Sequence, residues 1–106
     1  MQKGDIYLVR FPFTDLSTTK LRPALLLINF KLDISVCFIT SQLSLAEDWD
    51  MKLSPNPATG IHQTSLVKIG KIATINKNLV LGKLGSLHED QVLILNQKSK
   101  QVFQIP

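Results

Sequence analysis

Short apolar runs divided by turn residues make up most of this chain, and their lengths point to strands. Ile6–Phe11 puts Ile6, Tyr7, Leu8 and Val9 in succession and stops at Pro12, which predicts a first strand. Thr14–Lys20 is polar, rich in Ser and Thr and without period, and reads as a loop. Ala24–Ile28 is a continuous apolar run. It fits a strand buried on both faces or a short helix; its length favours the strand, and Pro23 is acceptable as its first residue. Ile34–Thr40, mostly β-branched and aromatic, is the strongest β segment. A polar stretch, Ser41–Asp48, follows, and then Trp49, Met51 and Leu53 alternate with Asp50 and Lys52 as in a half-exposed strand. Ser54–Gly60 holds two prolines and a glycine and is expected to be a loop. Ser65–Ile75 is apolar on both sides of Gly70, which predicts a bulge or sharp bend there, and Leu79–Leu84 is a further short run interrupted by Gly82.

The helical signal comes late. Ser86-Leu-His-Glu89 fits a capping box, with Glu89 and Asp90 in the first turn and Lys98 and Lys100 near the far end, matching the helix dipole. Val92, Leu95, Ser99 and Val102 then share one face. A further strand over Val92–Leu95 is the alternative, and cap and charge order favour the helix. The expected fold is mainly β (α+β): a small curled antiparallel sheet with a helix against it or at its end, an SH3-like barrel or a related α+β form.

Composition narrows the setting. The 106 residues fit one domain, 1–106, and at 44% hydrophobic and 19% charged they are globular rather than disordered. The single cysteine, Cys37, excludes an internal disulfide framework and suits a reducing cytoplasm. No apolar run reaches the roughly 18 residues of a membrane span, and the opening Met-Gln-Lys-Gly-Asp lacks the apolar core of a signal peptide. Net charge is +4, a bias toward a polyanionic partner.

Candidate chemistry is sparse. His62 and His88 are far apart and neither stands at ligand spacing from a cysteine or histidine, so no metal site is expected. The Glu47, Asp48 and Asp50 cluster reads as a turn before it reads as a cation site. Cys37, inside the most apolar strand, reads as a buried inert thiol. No phosphate-binding glycine loop is present. The informative pattern lies at strand ends. Arg22 precedes the Ala24–Ile28 strand, and Thr40, Ser41 and Gln42 end the Ile34–Thr40 strand. Pairing these strands as an antiparallel hairpin would bring Arg22 beside Thr40 and Ser41. A guanidinium fork next to two hydroxyls suits one phosphate. A turn-capping Thr and Ser, with an Arg lying over apolar surface, is the structural alternative.

Three stretches resemble the MazF/PemK-type toxins of bacterial type II toxin–antitoxin systems. They are Gly4-Asp-Ile-Tyr-Leu-Val9 with Lys20-Leu-Arg-Pro-Ala-Leu-Leu-Leu27, then Ile39-Thr-Ser-Gln42, and then Ser65–Ile75 with Lys83-Leu-Gly-Ser-Leu-His88. The resemblance spans nearly the whole chain. It implies an SH3-like barrel, a homodimer, a cognate antitoxin partner, and a sequence-selective endoribonuclease cleaving single-stranded RNA through a 2′,3′-cyclic phosphate. It implies neither metal nor other cofactor. The family's catalytic arginine falls on Arg22 and its threonine on Thr40, with Ser41 joining the site. Lys20, Gln42, Lys68 and Lys71 are the expected RNA contacts, and Lys77 and Lys83 are further candidates for the RNA path. The loops Thr14–Lys20 and Leu43–Trp49 are expected to read the cleavage motif. Neither histidine matches a catalytic position: His88 is assigned to the cap and His62 to solvent. The chain departs from the family pattern at Lys68 and Gly70, where some members have an arginine and an acid, and at Ala73 and Asn76, where many have Arg and Asp. Those changes bear on substrate placement more than on the core chemistry. A non-catalytic toxin on the same barrel, one that binds DNA gyrase as the CcdB toxins do, is the alternative, and an inactive relic is a third reading.

Overall fold

The computed structural model describes residues 1–12 and 19–106. Its strands are β1 (Asp5–Pro12), β2 (Thr19–Asn29), β3 (Asp33–Thr40), β4 (Met51–Leu53), β5 (Ser65–Asn76) and β6 (Val80–Ser86), followed by the helix α1 (Glu89–Val102). The strands form a sheet in the order β4-β5-β3-β2-β1-β6, antiparallel throughout. Short 3-10 turns at Leu43–Leu45 and Lys77–Leu79 interrupt the connections. The mainly β fold with one C-terminal helix is the architecture expected from the sequence.

Successive strand residues point to opposite faces, and here both faces are apolar. Leu25, Cys37, Ile39, Val67 and Ile69 belong to one buried cluster, together with Leu95 of α1. Ala24, Leu26, Val36, Val9 and Phe11 belong to a second cluster on the opposite face. This is why Ala24–Ile28 reads as uninterrupted hydrophobicity. A sheet with two apolar faces must be covered twice, by a helix on one side and by its own curl on the other. The curl comes from register shifts in β1/β6, β2/β3 and β3/β5. The largest is at β5: Cys37 faces Ile72 while the next residue, Phe38, faces Lys68, which leaves Ile69, Gly70 and Lys71 as a bulge. The predicted bend at Gly70 is therefore present.

The segment after β4 closes the sheet against its far edge. Ser86 donates its backbone N–H to Ala58 O at 2.9 Å, and Asn56 and Ile61 pair in an isolated bridge. The approach is so close that a Cβ on Gly85 would collide with the Ala58 carbonyl, and one on Gly60 with the Leu84 carbonyl. Gly60 also takes φ +75°, which L side chains rarely adopt.

Three expectations about boundaries need correction. β2 starts at Thr19, so Thr19 and Lys20 belong to a strand and not to the loop; residues 14–18 of that loop lie outside the described residues. Pro23 is accordingly inside β2. It is tolerated because the β3 ladder begins only at Ala24, leaving Pro23 with β1 as its sole strand neighbour. The capping box sits two residues later than expected. His88 Nδ1 accepts from Asp90 N–H at 3.3 Å, and Gln91 Oε1 accepts from His88 N–H at 2.8 Å. Ser86 is instead the last residue of β6, and its hydroxyl serves Asp5.

The helix buries the predicted face, with Leu95 fully enclosed and Val92 and Val102 packed on the first cluster. Enclosing one such leucine contributes about 1.5–3 kcal/mol. Cys37 is buried and unpaired, and burial pushes its thiol up to about 12 despite the opposing charge of Lys3. It is chemically quiet, as expected.

Asp5 ties the start of β1 to β6. Its carboxylate accepts from Gln2 N–H at 3.0 Å, Ser86 Oγ at 2.9 Å and Tyr7 Oη at 3.2 Å, with Lys83 Nζ at 3.5 Å. Burial alone would raise its pKa. The bonds from Gln2 and Ser86, the Lys83 charge and the Tyr7 hydroxyl outweigh burial and hold it below the usual carboxylate value. Burial, the Asp5 charge and their shared hydrogen bond in turn raise Tyr7. A depressed carboxylate stabilises the fold above its unfolded pKa, and that contribution is lost as pH falls through the folded value. Asp5→Asn should therefore cost about 1–3 kcal/mol at neutral pH and flatten the loss of stability below about pH 4. Thermal denaturation of both proteins across that range measures it.

Candidate active site

Arg22, Ala24 and Leu26 alternate onto one face of β2, and Val36, Phe38 and Thr40 onto the same face of β3. Ala24 pairs with Phe38, so the same register continued one step outward sets Arg22 across from Thr40. Both residues line a cleft of about 420 Å³ at the open end of the second cluster. The Phe11 and Phe38 rings also line it, with centroids 4.5 Å apart and planes tilted by 33°.

The polar atoms of this cleft are poised to donate. The Thr40 hydroxyl oxygen accepts the backbone N–H of Gln42 at 3.1 Å, which orients it and leaves its own proton free. Arg22 makes no hydrogen bond or ion pair with any described residue, so its fork of five N–H groups is uncommitted. Lys71, exposed on the β5 bulge, and Gln42 complete the polar lining.

Lys68 also borders the cleft, but its ammonium is spent elsewhere. It is 3% exposed and donates to Asp50 Oδ2 at 2.6 Å and Leu45 O at 2.6 Å, with Glu47 Oε1 at 3.1 Å. Three donors thus meet three acceptors. Burial disfavours its charge, yet the bonds and charges of Asp50 and Glu47 outweigh burial and raise its pKa. Lys68, expected as an RNA contact, thus lines the cleft with its ammonium engaged by Asp50, Glu47 and Leu45, and the side chain fixes the cleft wall by gripping Leu45. The acidic cluster is explained by the same clamp. Asp50 Oδ2 also accepts the Glu47 N–H at 2.7 Å, so two of its three carboxylates converge on an ammonium. Among the described residues no group of three or more His, Cys, Asp or Glu side chains could hold a metal ion. Gly70 has a local reason too. The Trp49 indole Nε1 lies 3.0 Å from where its Cβ would be, so Trp49 occupies the space of a side chain at 70.

Ser41, one residue beyond Thr40, falls on the other side. It lines a second groove, of about 370 Å³, with His62 and Gln63. Arg22 and Ile39 border both grooves, and with Ile39 buried it is the half-buried Arg22 that forms the ridge between them. The structure therefore gathers Arg22, Thr40, Gln42, Lys68 and Lys71, and separates Ser41 from Thr40. Lys20, exposed on β2 opposite Phe11, is outside the described lining of either groove. Lys83 is on β6 beside Asp5, and Lys77 lies in the turn after β5; neither lines the cleft. Sequence reasoning missed Phe11 and Phe38 in the first groove and His62 and Gln63 in the second, while Leu45 falls in the Leu43–Trp49 loop it named. Strand alternation could have found Phe38, which shares a face with Thr40.

Among the described residues no helix is long and apolar enough to cross a membrane. No curated protein matches the chain significantly by sequence. Solved structures do match in fold. The Mycobacterium tuberculosis toxin MazF-mt6 superposes with a TM-score of 0.77 at 18% identity, over 96% of this chain and 98% of that one. A mycobacterial endoribonuclease in complex with its cognate antitoxin gives 0.77 at 17% identity, over 100% and 97%. The MazE–MazF complex of Deinococcus radiodurans gives 0.80 at 14% identity, over 100% and 97%. The family model of the PemK-like, MazF-like toxins of type II toxin–antitoxin systems matches residues 2–103, and with the curled antiparallel sheet and its C-terminal helix this places the chain in that family.

Proposed function

We propose that the chain is a sequence-selective endoribonuclease toxin that cleaves single-stranded RNA without a metal. The observation that carries this reading is the convergence of an uncommitted guanidinium, Arg22, and an oriented hydroxyl, Thr40, in one cleft floored by aromatic rings. In the reaction the RNA 2′-oxygen attacks the adjacent phosphorus. The 2′-O–P bond forms and the P–5′-O bond breaks, leaving a 2′,3′-cyclic phosphate and a 5′-hydroxyl. One proton leaves the 2′-hydroxyl and one arrives at the departing 5′-oxygen. Negative charge grows on the two non-bridging oxygens, where the Arg22 fork and the Thr40 O–H act by electrostatic stabilisation. A guanidinium carries N–H donors and no acceptor, so Arg22 can donate toward the departing 5′-oxygen but cannot serve as the base. Water or a group on the substrate accepts the first proton.

The resemblance supports the remaining assignments. The active form is a cytoplasmic homodimer with RNA lying across it, its bases splayed out of their stack. The cognate antitoxin is an acidic, partly disordered chain that folds over the basic groove and silences it.

Arg22→Ala should lower cleavage of a long single-stranded RNA by a factor of about 100–1,000 or more. Its melting temperature should stay unchanged, because Arg22 bonds to no described residue. Thr40→Val should lose most activity and Thr40→Ser should keep it, in the presence or absence of chelator. Retained cleavage by the Arg22 variant would remove the mechanism. If the unaltered protein cuts nothing yet inhibits gyrase supercoiling, the non-catalytic alternative replaces it.

The Lys68 clamp gives a stability prediction. Lys68→Met leaves the Asp50 carboxylate buried without its cation, at a cost of about 3–5 kcal/mol, read as a fall in the urea midpoint. The double variant Lys68→Met, Asp50→Leu removes both charges and should recover most of that loss.

A further inference from the structure

The second groove shares Arg22 with the chemistry just described, but its remaining polar side chains have no part in it. Its outer wall is the segment carrying His62 and Gln63, and that segment is fixed at both ends. On one side Ile61 is buried and its N–H donates to Thr59 Oγ1 at 3.3 Å, while Thr59 is itself 1% exposed and donates to Asn56 O at 3.0 Å. On the other side Ser65 opens β5 and its hydroxyl donates to Gln63 O at 2.8 Å. The glycine contacts of this segment with β6 allow no slack beneath it. His62 and Gln63 nevertheless have exposed side chains that bond to no described residue, and Ser41 faces them from the end of β3. An imidazole, a carboxamide and a hydroxyl lining one groove, two of them on a backbone segment tied down at both ends, offer donors and acceptors to a base edge.

The ridge supplies the connection. Arg22 and Ile39 border both grooves, so a phosphate held by Arg22 has one neighbouring nucleotide on each side. The two sides differ in chemistry. The first presents an apolar floor, the half-buried Phe38 backed by the buried Phe11, which suits contact with any base; the second presents side chains suited to hydrogen bonds with one base edge.

We propose that single-stranded RNA crosses the ridge at Arg22 and that Ser41, His62 and Gln63 read the identity of the base on one side of the scissile phosphate. The proposal rests on the nuclease reading above. It gives Ser41 a role in recognition in place of one at the reacting phosphate.

The test is cleavage of a randomised single-stranded RNA pool by the unaltered protein, His62→Ala, Gln63→Ala and Gln63→Glu, with the fragment 5′ ends sequenced. Gln63→Glu exchanges an amide that donates and accepts for a carboxylate that only accepts, so it should change which base is favoured and not merely relax the choice. The expected result is a shift of at least tenfold in base preference at a position on one side of the cut, with the preference on the other side retained. Unchanged preference in all three variants, or equal loss on both sides, overturns the proposal while leaving the nuclease reading intact. A pool left uncut by the unaltered protein overturns both.

Discussion

Strands β2 and β3 are apolar on both faces, and that constraint organises the molecule. Neither face can be left to water, so one receives α1 and the other is enclosed by the curl that the β5 bulge and its companion register shifts impose. The alternation ends in polar residues at one end of the pair. Arg22 and Thr40 continue the face of Leu26 and Val36 beyond the point where packing is complete. The site is thus where a buried face runs out of hydrophobic residues.

The cleft wall shows a different economy. A buried lysine meeting two carboxylates and a carbonyl is a costly way to hold a loop, since each charge must leave water. An apolar contact of equal volume would serve stability as well. What the ionic clamp adds is direction: the ammonium accepts only an arrangement that brings Leu45, Glu47 and Asp50 to it together. The loop so fixed also carries Trp49 over Gly70. Two of the four departures from the family pattern, at Lys68 and Gly70, therefore belong to one local solution.

The elements legible in the sequence were those written in short-range pattern. Period-two alternation, the bend at Gly70 and the helix face at Val92, Leu95, Ser99 and Val102 all follow from spacing along the chain. So does the Arg22–Thr40 approach, because a hairpin makes distant partners predictable from register. Long-range packing was illegible. That Lys68 is sequestered depends on residues 18–23 positions earlier. That His62 faces Ser41 depends on a loop pressed against β6. The cap shifted from Ser86 to His88 because Asp5, 81 residues away, claims the serine hydroxyl. A local motif lost to a partner that local reading could not see.

The contact of Gly60 and Gly85 with opposing carbonyls also governs how the protein behaves among its own copies. Exposed sheet borders are templates for uncontrolled addition of further chains. Here one border, β4, is three residues long, and the other, β6, lies under the segment that follows β4 and bears Lys83. That cover rests on two positions without a side chain, and enlarging either would loosen it before it disturbed the cleft that holds Arg22 and Thr40.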